Sequence, residues 1–243
     1  MSDAFPPHLY PFRPAEHDGV MIGAAYVPAR SLAEVDTCLA VEGVAPLEQR
    51  TPVLAVGSNA SPSRMLWKLE QAGASTVLPF LQVRATDLTV GFSAHVSRAG
   101  YVAAAPAPAP GETTTLWCSW LDAGQLECLD ATEPTYRRVD APGSATTVPG
   151  CVPVTGAQLY VSRRGLVTDP RTGDVLPLTT QADLHEVLRP LLPALPCGDA
   201  PDVCALLAED AELRQSMTDG LQELLRARPG SADRLVAAGK ETR

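Results

Sequence analysis

Proline is the feature that most limits how this chain can fold. The sequence holds 23 prolines among 243 residues, against 18 glycines. Proline fixes the backbone angle φ and lacks an N–H, so it breaks helix interiors and is tolerated in sheets mainly at edges, bulges and strand starts. A long helical bundle is therefore excluded. The chain is expected to form short helices, many loops and edge strands.

The remaining composition is that of an ordinary globular protein. Hydrophobic residues make up 45% of the chain, which excludes global disorder. A net charge of −9 gives no long-range attraction for nucleic acid or anionic membranes. No apolar run approaches the roughly 20 residues that span a bilayer, and the first residues lack a signal-peptide pattern. We therefore expect a cytoplasmic protein that binds neither nucleic acid nor membrane.

The cysteines and histidines form no metal-binding motif. There are six cysteines and four histidines, with no CxxC pair and no HExxH helix. Zinc sites are usually built from such patterns, so we predict no metal site. In a reducing compartment the cysteines stay thiols. A nucleophilic Cys–His pair that meets only in the folded protein remains an open alternative.

The chain divides into three segments. Residues 1–50 form an N-terminal extension, with an irregular, proline- and aromatic-rich arm before a short helix that Ser31 caps and Glu34 supports. Residues 51–178 carry the strongest strand and helix patterns. Residues 179–243 form a C-terminal helical extension and tail, with leucines at helical spacing to about residue 228 and a polar, frayed end.

The clearest local pattern is a strand that enters a helix through a loop of small residues. The apolar run 52–56 predicts a buried strand, which stops at residues 57–59 (Gly-Ser-Asn). Ser61 followed by Pro62 is typical of a helix start, and Gly73 of its end. Such a loop leaves backbone N–H groups unpaired, so it can bind an anion or stabilise an oxyanion. An ordinary tight turn is the alternative interpretation.

A second candidate element surrounds Glu133. This glutamate ends a short helix that begins at Asp122, because Pro134 disfavours helical geometry in the residue before it. A carboxylate at such a junction can lie in a cleft and act as an acid or base. The alternative is a solvated acid, or an ion pair with Arg137 or Arg138.

More strands are expected on both sides of this helix. The strand-like runs are 81–90, 101–105, 113–120 and 136–140, with further strand over 145–178 and a hairpin near 169–174. The proline- and alanine-rich segment 106–111 separates two of these runs and predicts a turn or loop.

Together and in this order, these elements resemble the gamma-glutamylcyclotransferase-like family. The matching segments are 54–60 (Leu-Ala-Val-Gly-Ser-Asn-Ala) with 61–65 after it, the alanine-rich 101–105 leading to Pro110 and Gly111, and 129–133 (Leu-Asp-Ala-Thr-Glu) with Tyr136 and Arg137. The resemblance covers about residues 50–160. It implies an α+β fold, a small mixed β-barrel with flanking helices, to which this chain adds its C-terminal helical extension.

The resemblance also implies an activity and a site. Glu133 is expected to be the catalytic acid/base. The gamma-glutamyl group is expected to bind to Val56, Gly57, Ser58, Asn59, Ala60 and Tyr136. A gamma-glutamyl amide carries its own nucleophile, the α-amine, so the reaction needs a base, donors for the oxyanion and an acid, but no metal or organic cofactor. The expected products are 5-oxoproline and the free amine.

The sequence departs from the family pattern at three positions. Val56 stands in place of a tyrosine, Ala60 in place of a leucine, and Pro134 in place of a glycine. The lost tyrosine hydroxyl favours an alternative, a non-catalytic small-molecule-binding or protein-interaction module on the same fold, whereas the retained Glu133 argues against it. Another hydrolase or transferase in the same pocket is a third alternative. In an enzyme, Glu133 should face a cavity beside residues 57–59; in a module it should be exposed, or the cavity filled by residues 1–50.

Overall fold

The computed structural model describes residues 5–148 and 150–226. Its α-helices are Leu32–Val41 (α1), Pro62–Ala72 (α2), Ala123–Thr132 (α3), Gln181–Leu188 (α4), Ala200–Glu209 (α5) and Ala211–Arg226 (α6). Its strands are Gly19–Ile22 (β1), Ala25–Pro28 (β2), Thr51–Ala55 (β3), Val77–Val96 (β4), Val102–Leu121 (β5), Tyr136–Asp140 (β6), Ala145–Thr147 (β7) and Gln158–Ser162 (β8). Single 3₁₀ turns occupy Pro7–Leu9, Leu47–Gln49 and Ser58–Ala60.

One mixed sheet contains these eight strands. Its order is β2-β1-β4-β5-β3-β8-β6, and β7 pairs with β4. Strands β3 and β8 are parallel neighbours, and the other ladders are antiparallel. The 20-residue strands β4 and β5 pair along most of their length and form the centre of the sheet. The expected α+β architecture is confirmed.

The two ends of this sheet are not joined. Among the described residues, no ladder links β2 to β6. The chain after β8 instead returns to the second half of β4, where the Ala94 N–H donates to the Gly165 carbonyl at 3.0 Å and the Val167 N–H to the Phe92 carbonyl at 2.8 Å. Closure into a barrel therefore remains an expectation from the family resemblance.

Segment 106–111 is strand, so the predicted loop there is wrong. Strand β5 runs through Pro106, Pro108 and Pro110 without interruption. The N–H of Ala104, two residues earlier, donates away from β4, to the hydroxyl of Tyr10 at 2.8 Å. Because alternate residues of a strand point the same way, the missing N–H groups of Pro106 and Pro108 fall on this outer edge, and Pro110 lies in the bulge after Pro108 that has no partner in β4, so the ladder loses no hydrogen bond.

The helix starts follow the predicted signals closely. The Ser31 side chain accepts from the Glu34 N–H at 3.2 Å, and Asp122 and Gln125 form a reciprocal capping box. Helix α2 ends at Gly73, whose φ of 65° is in the left-handed region. One detail differs: the Ser61 side chain makes no bond to a helix N–H.

Residues from both ends of the chain pack onto the central sheet. Strand β1 pairs with the start of β4, so part of the N-terminal extension belongs to the same sheet. Helices α4 to α6 bury their apolar faces with the residues of β4 and β5 near the turn that joins them; this cluster includes Phe92, Val102, Leu184, Leu207 and Leu221. The helical prediction for 180–226 is confirmed. Residues 227–243, with the predicted polar tail, lie outside the described residues.

Three further observations concern membrane-spanning helices, cysteine pairing and metal binding. Across residues 5–148 and 150–226, no helix combines the length and apolar character that crossing a membrane requires. All six cysteines are free thiols. Within the same ranges, no group of three or more His, Cys, Asp and Glu side chains is arranged to hold a metal ion.

Candidate active site

A cavity of about 330 Å³ opens where β3 leads into α2. It is lined by residues 57–59, by α2, by the turn between β4 and β5, by the junction of α3 and β6, and by Tyr10 of the N-terminal arm. Its volume lies in the range of small-molecule sites. The two elements singled out in the sequence therefore meet at one cavity.

Residue 57 must be glycine because other groups approach it closely. A Cβ built on Gly57 would overlap the Tyr10 hydroxyl and lie 3.1 Å from the Cβ of Ala104. The loop then forms a single 3₁₀ turn before α2 begins at Pro62. The backbone of the loop is thus packed against β5 on one side and faces the cavity on the other.

Glu133 is held by one of its two oxygens. Its Oε1 accepts hydrogen bonds from Lys68 Nζ at 2.8 Å and from Asn59 Nδ2 at 3.1 Å. Lys68 also donates to Asn59 Oδ1 at 2.8 Å, so the three side chains form a closed triangle. Among the described residues, Glu133 Oε2 has no hydrogen-bond partner, so this oxygen is available to a ligand.

Lys68 was not among the residues predicted for the site. Its side chain is 6% exposed and that of Glu133 is 15% exposed, so the ion pair is largely withdrawn from water. The available signal was a lysine within the buried stripe of α2, between Met65 and Leu69. A lysine in such a position needs an anionic partner.

Two tyrosine hydroxyls bind the same residue of β5. The Ala104 N–H donates to the hydroxyl of Tyr10, and the hydroxyl of Tyr136 donates to the Ala104 carbonyl, both at 2.8 Å. Burial raises the pKa of both phenols, so both are protonated at neutral pH. Tyr136 was predicted to lie in the site, whereas Tyr10 was not.

His95 joins two hydroxyls at the cavity wall. Its Nδ1 lies 2.6 Å from Ser93 Oγ and its Nε2 lies 3.2 Å from Thr135 Oγ1. Burial, assisted by the positive charge of Arg164, lowers the pKa of His95 to about 4, so the ring is neutral at pH 7. No described cysteine lines the cavity, so the Cys–His alternative has no support here.

Arg64 adds a positive charge to the same wall. Its guanidinium carbon lies 4.3 Å from the ring centre of Trp67 and 4.9 Å from that of Phe5. Its Nε is buried and has no hydrogen-bond partner in the described part of the chain. Arg98 and Arg214 also line the cavity. Since Glu133 balances Lys68, the three arginines leave an excess of positive charge, which suits an anionic ligand.

Most of the predicted site residues line the cavity. These are Val56, Gly57, Ser58, Asn59, Glu133 and Tyr136. Ala60 does not line it, because its side chain packs into the core with residues of α2 and α3. Of the two arginines predicted as alternative partners of Glu133, Arg138 instead binds Asp130 through two hydrogen bonds of 2.9 Å.

Comparison with known proteins gives structural neighbours only. No protein-family model and no curated protein matches the chain. Solved structures similar to it include an uncharacterized protein from Homo sapiens, at 17% identity over 47% of this chain and 67% of that chain with a TM-score of 0.39. Another is named gamma-glutamyl cyclotransferase, at 16% identity over 46% of this chain and 66% of that chain, with a TM-score of 0.38. A third, from Arabidopsis thaliana, has 14% identity over 58% of this chain and 85% of that chain, with a TM-score of 0.40.

One of these neighbours thus bears the name of the family that the sequence motifs resemble. Because identities and TM-scores are this low, the function of this chain has to be argued from its own site.

Proposed function

We propose that this protein is a gamma-glutamyl cyclotransferase-type enzyme. It would convert the gamma-glutamyl group of an amide or amine conjugate into 5-oxoproline and release the free amine. The observation that carries the proposal is the state of Glu133: one carboxylate oxygen is fixed by Asn59 and Lys68, and the other is available in a cavity beside residues 57–59. The order of the matching sequence motifs supports the same reaction.

Substrate binding uses the charges around the cavity. The α-carboxylate of the gamma-glutamyl group pairs with Arg64, whose Nε lacks a partner among the described residues. The α-ammonium faces Glu133 Oε2, and the γ-carbonyl lies against the backbone of residues 57–59. The rings of Phe5 and Trp67 both contact the Arg64 guanidinium and hold it in place, so less conformational entropy is lost when the carboxylate binds.

The reaction balances with Glu133 as base and then acid. Glu133 takes one proton from the α-ammonium, and the amine forms a C–N bond to the γ-carbonyl carbon. The tetrahedral intermediate carries its negative charge on the former carbonyl oxygen. As the intermediate collapses, the bond to the leaving nitrogen breaks and Glu133 returns its proton to that nitrogen. The second proton of the ring nitrogen then passes through Glu133 to the released amine, which leaves as its ammonium.

Asn59 and Lys68 are positioning residues in this scheme. They hold Glu133 Oε1 and so direct Oε2 to the substrate. We place the reaction in the cytoplasm, where the six free cysteines would stay reduced.

The test is a panel of gamma-glutamyl amines, amino acids and peptides, scored by 5-oxoproline release. The wild type is compared with Glu133→Gln and with Glu127→Gln, which changes an exposed glutamate of the same helix. The wild type and Glu127→Gln are expected to release 5-oxoproline from at least one compound, and Glu133→Gln is not. Absence of release from every compound overturns the proposed reaction, and equal release by all three proteins overturns the role of Glu133.

A second candidate is a non-catalytic binding module on the same fold. It is favoured by the arm residue Tyr10, which occupies space next to Gly57. This candidate predicts that a gamma-glutamyl compound binds, as measured by calorimetry, and is recovered unchanged after long incubation.

A further inference from the structure

The N-terminal arm places one tyrosine inside the cavity with a fixed orientation. Tyr10 is 5% exposed. Its ring stacks on Tyr101, with 4.1 Å between ring centres and 13° between planes, and meets the edge of Phe12 at 5.7 Å. These contacts fix the ring, and therefore the position of its hydroxyl, before any ligand enters.

The hydroxyl of Tyr10 has a proton to donate. Its oxygen accepts the N–H of Ala104 at 2.8 Å and lies directly against Gly57. No residue in 5–148 or 150–226 accepts a hydrogen bond from this hydroxyl. Buried hydroxyls rarely leave such capacity unused. Since Tyr10 lines the cavity, a bound ligand can supply the missing acceptor.

The neighbouring tyrosine differs in this respect. Tyr136 binds the same residue, but its hydroxyl donates to the Ala104 carbonyl at 2.8 Å, so its proton is already used. Of the two phenols on Ala104, only that of Tyr10 is free to act on a ligand.

We propose that Tyr10 is a further catalytic residue, whose hydroxyl donates to the oxyanion formed when the α-amine attacks the γ-carbonyl. This inference rests on the proposed function above. Donors that are fixed in advance at the point where negative charge develops stabilise a transition state more than a ground state. Because linked hydrogen bonds polarise one another, the hydrogen bond that the Tyr10 oxygen accepts from the Ala104 N–H makes the Tyr10 O–H a stronger donor. Residues 1–50 would thus complete the site rather than fill it.

The first test is Tyr10→Phe, which keeps the ring and removes the hydroxyl. The kcat for 5-oxoproline release is expected to fall about 100-fold to 1,000-fold, with KM changed by less than about threefold, since the lost bond belongs to the transition state. The matched control is Tyr26→Phe, whose hydroxyl donates to the His17 carbonyl at 2.8 Å and lies outside the cavity lining. That variant should keep wild-type kcat and KM.

A second test separates proton donation from a structural role and does not depend on the folding of Tyr10→Phe. Fluorinated tyrosines of increasing acidity are placed at position 10, which keeps the ring, the hydroxyl and its bond from Ala104. Because burial keeps the phenol protonated, kcat is compared at neutral pH, and it should rise as the phenol becomes more acidic if the hydroxyl donates to the oxyanion. If kcat does not change across the series, Tyr10 is not catalytic, even where Tyr10→Phe is slow.

The outcomes also separate this inference from the proposed function. A wild type that releases no 5-oxoproline overturns both. An active wild type with an equally active Tyr10→Phe overturns the role of Tyr10 and leaves that of Glu133 standing.

Discussion

Lys68 Nζ and Glu133 Oε1 lie 2.8 Å apart, and this ion pair joins the middle of α2 to the end of α3. The two residues are 65 positions apart in the chain. Both charges are largely withdrawn from water, so each depends on the other for its stability in the fold. The pair therefore links the position of the proposed base to the packing of two helices.

Removing the lysine should destabilise the protein markedly. Lys68→Met leaves the Glu133 carboxylate without its charged partner, and breaking such a pair typically costs about 3–5 kcal/mol. We expect a loss near 3 kcal/mol in the free energy of unfolding from urea titration, since Glu133 keeps some contact with water. The double variant Lys68→Met/Glu133→Gln should recover part of that loss. A single variant as stable as wild type would contradict the buried-pair interpretation.

Asn59 should influence rate and binding together. Asn59→Ala removes one of the two donors to Glu133 Oε1 and one of the two acceptors of Lys68 Nζ. We expect kcat to fall about 10-fold with a rise in KM, whereas Glu133→Gln should lower kcat by about 10²–10⁴ with little change in KM. Steady-state kinetics on the best substrate of the panel measures both. Equal losses of kcat in the two variants would place Asn59 in the chemistry itself.

Local sequence signals predicted much of the fold but few of the long-range contacts that bring the site residues together. The Ser31 cap, the Asp122 capping box and the Gly73 helix end are decided by residues within one turn, so the sequence contains them. The strand through 106–111 was missed because its prolines are tolerated only when their missing N–H groups lie on an outer edge or in a bulge, which depends on the sheet. Glu133 and the loop were found by motif, whereas the contacts of Lys68 and Tyr10 span 65 and 94 residues and leave no local pattern.

Arg64 should determine affinity for the acidic part of the substrate. Arg64→Gln removes the charge expected to pair with the α-carboxylate, and hydrogen bonds to charged groups are worth about 1.5–3 kcal/mol. KM should therefore rise about 10-fold to 100-fold while kcat changes little. The control Arg84→Gln removes an arginine from an exposed position of β4 and should leave KM unchanged. If amidation of the substrate α-carboxylate weakens binding to wild type and to Arg64→Gln equally, the carboxylate does not bind Arg64.

Stability should fall in mild acid because two histidines are buried in neutral form. Burial lowers the pKa of His185 to about 4, assisted by Arg189, and His95 has a similar value. Between their ordinary pKa of 6.5 and about 4, the unfolded chain binds these protons and the folded chain does not. The stabilisation is therefore complete above pH 6.5 and is lost as the pH falls toward 4.

Replacing one of these histidines isolates its share of the effect. His185→Leu removes a titrating ring whose nitrogens have no hydrogen-bond partner in the described structure, and it keeps the site apolar. The free energy of unfolding should then fall less between pH 7 and pH 4 than in wild type, by on the order of 2 kcal/mol. Urea titrations at several pH values measure this difference, with the exposed His17→Gln as the control. The same pH dependence in wild type and His185→Leu would show that the pKa of His185 is the same in the folded and unfolded chain.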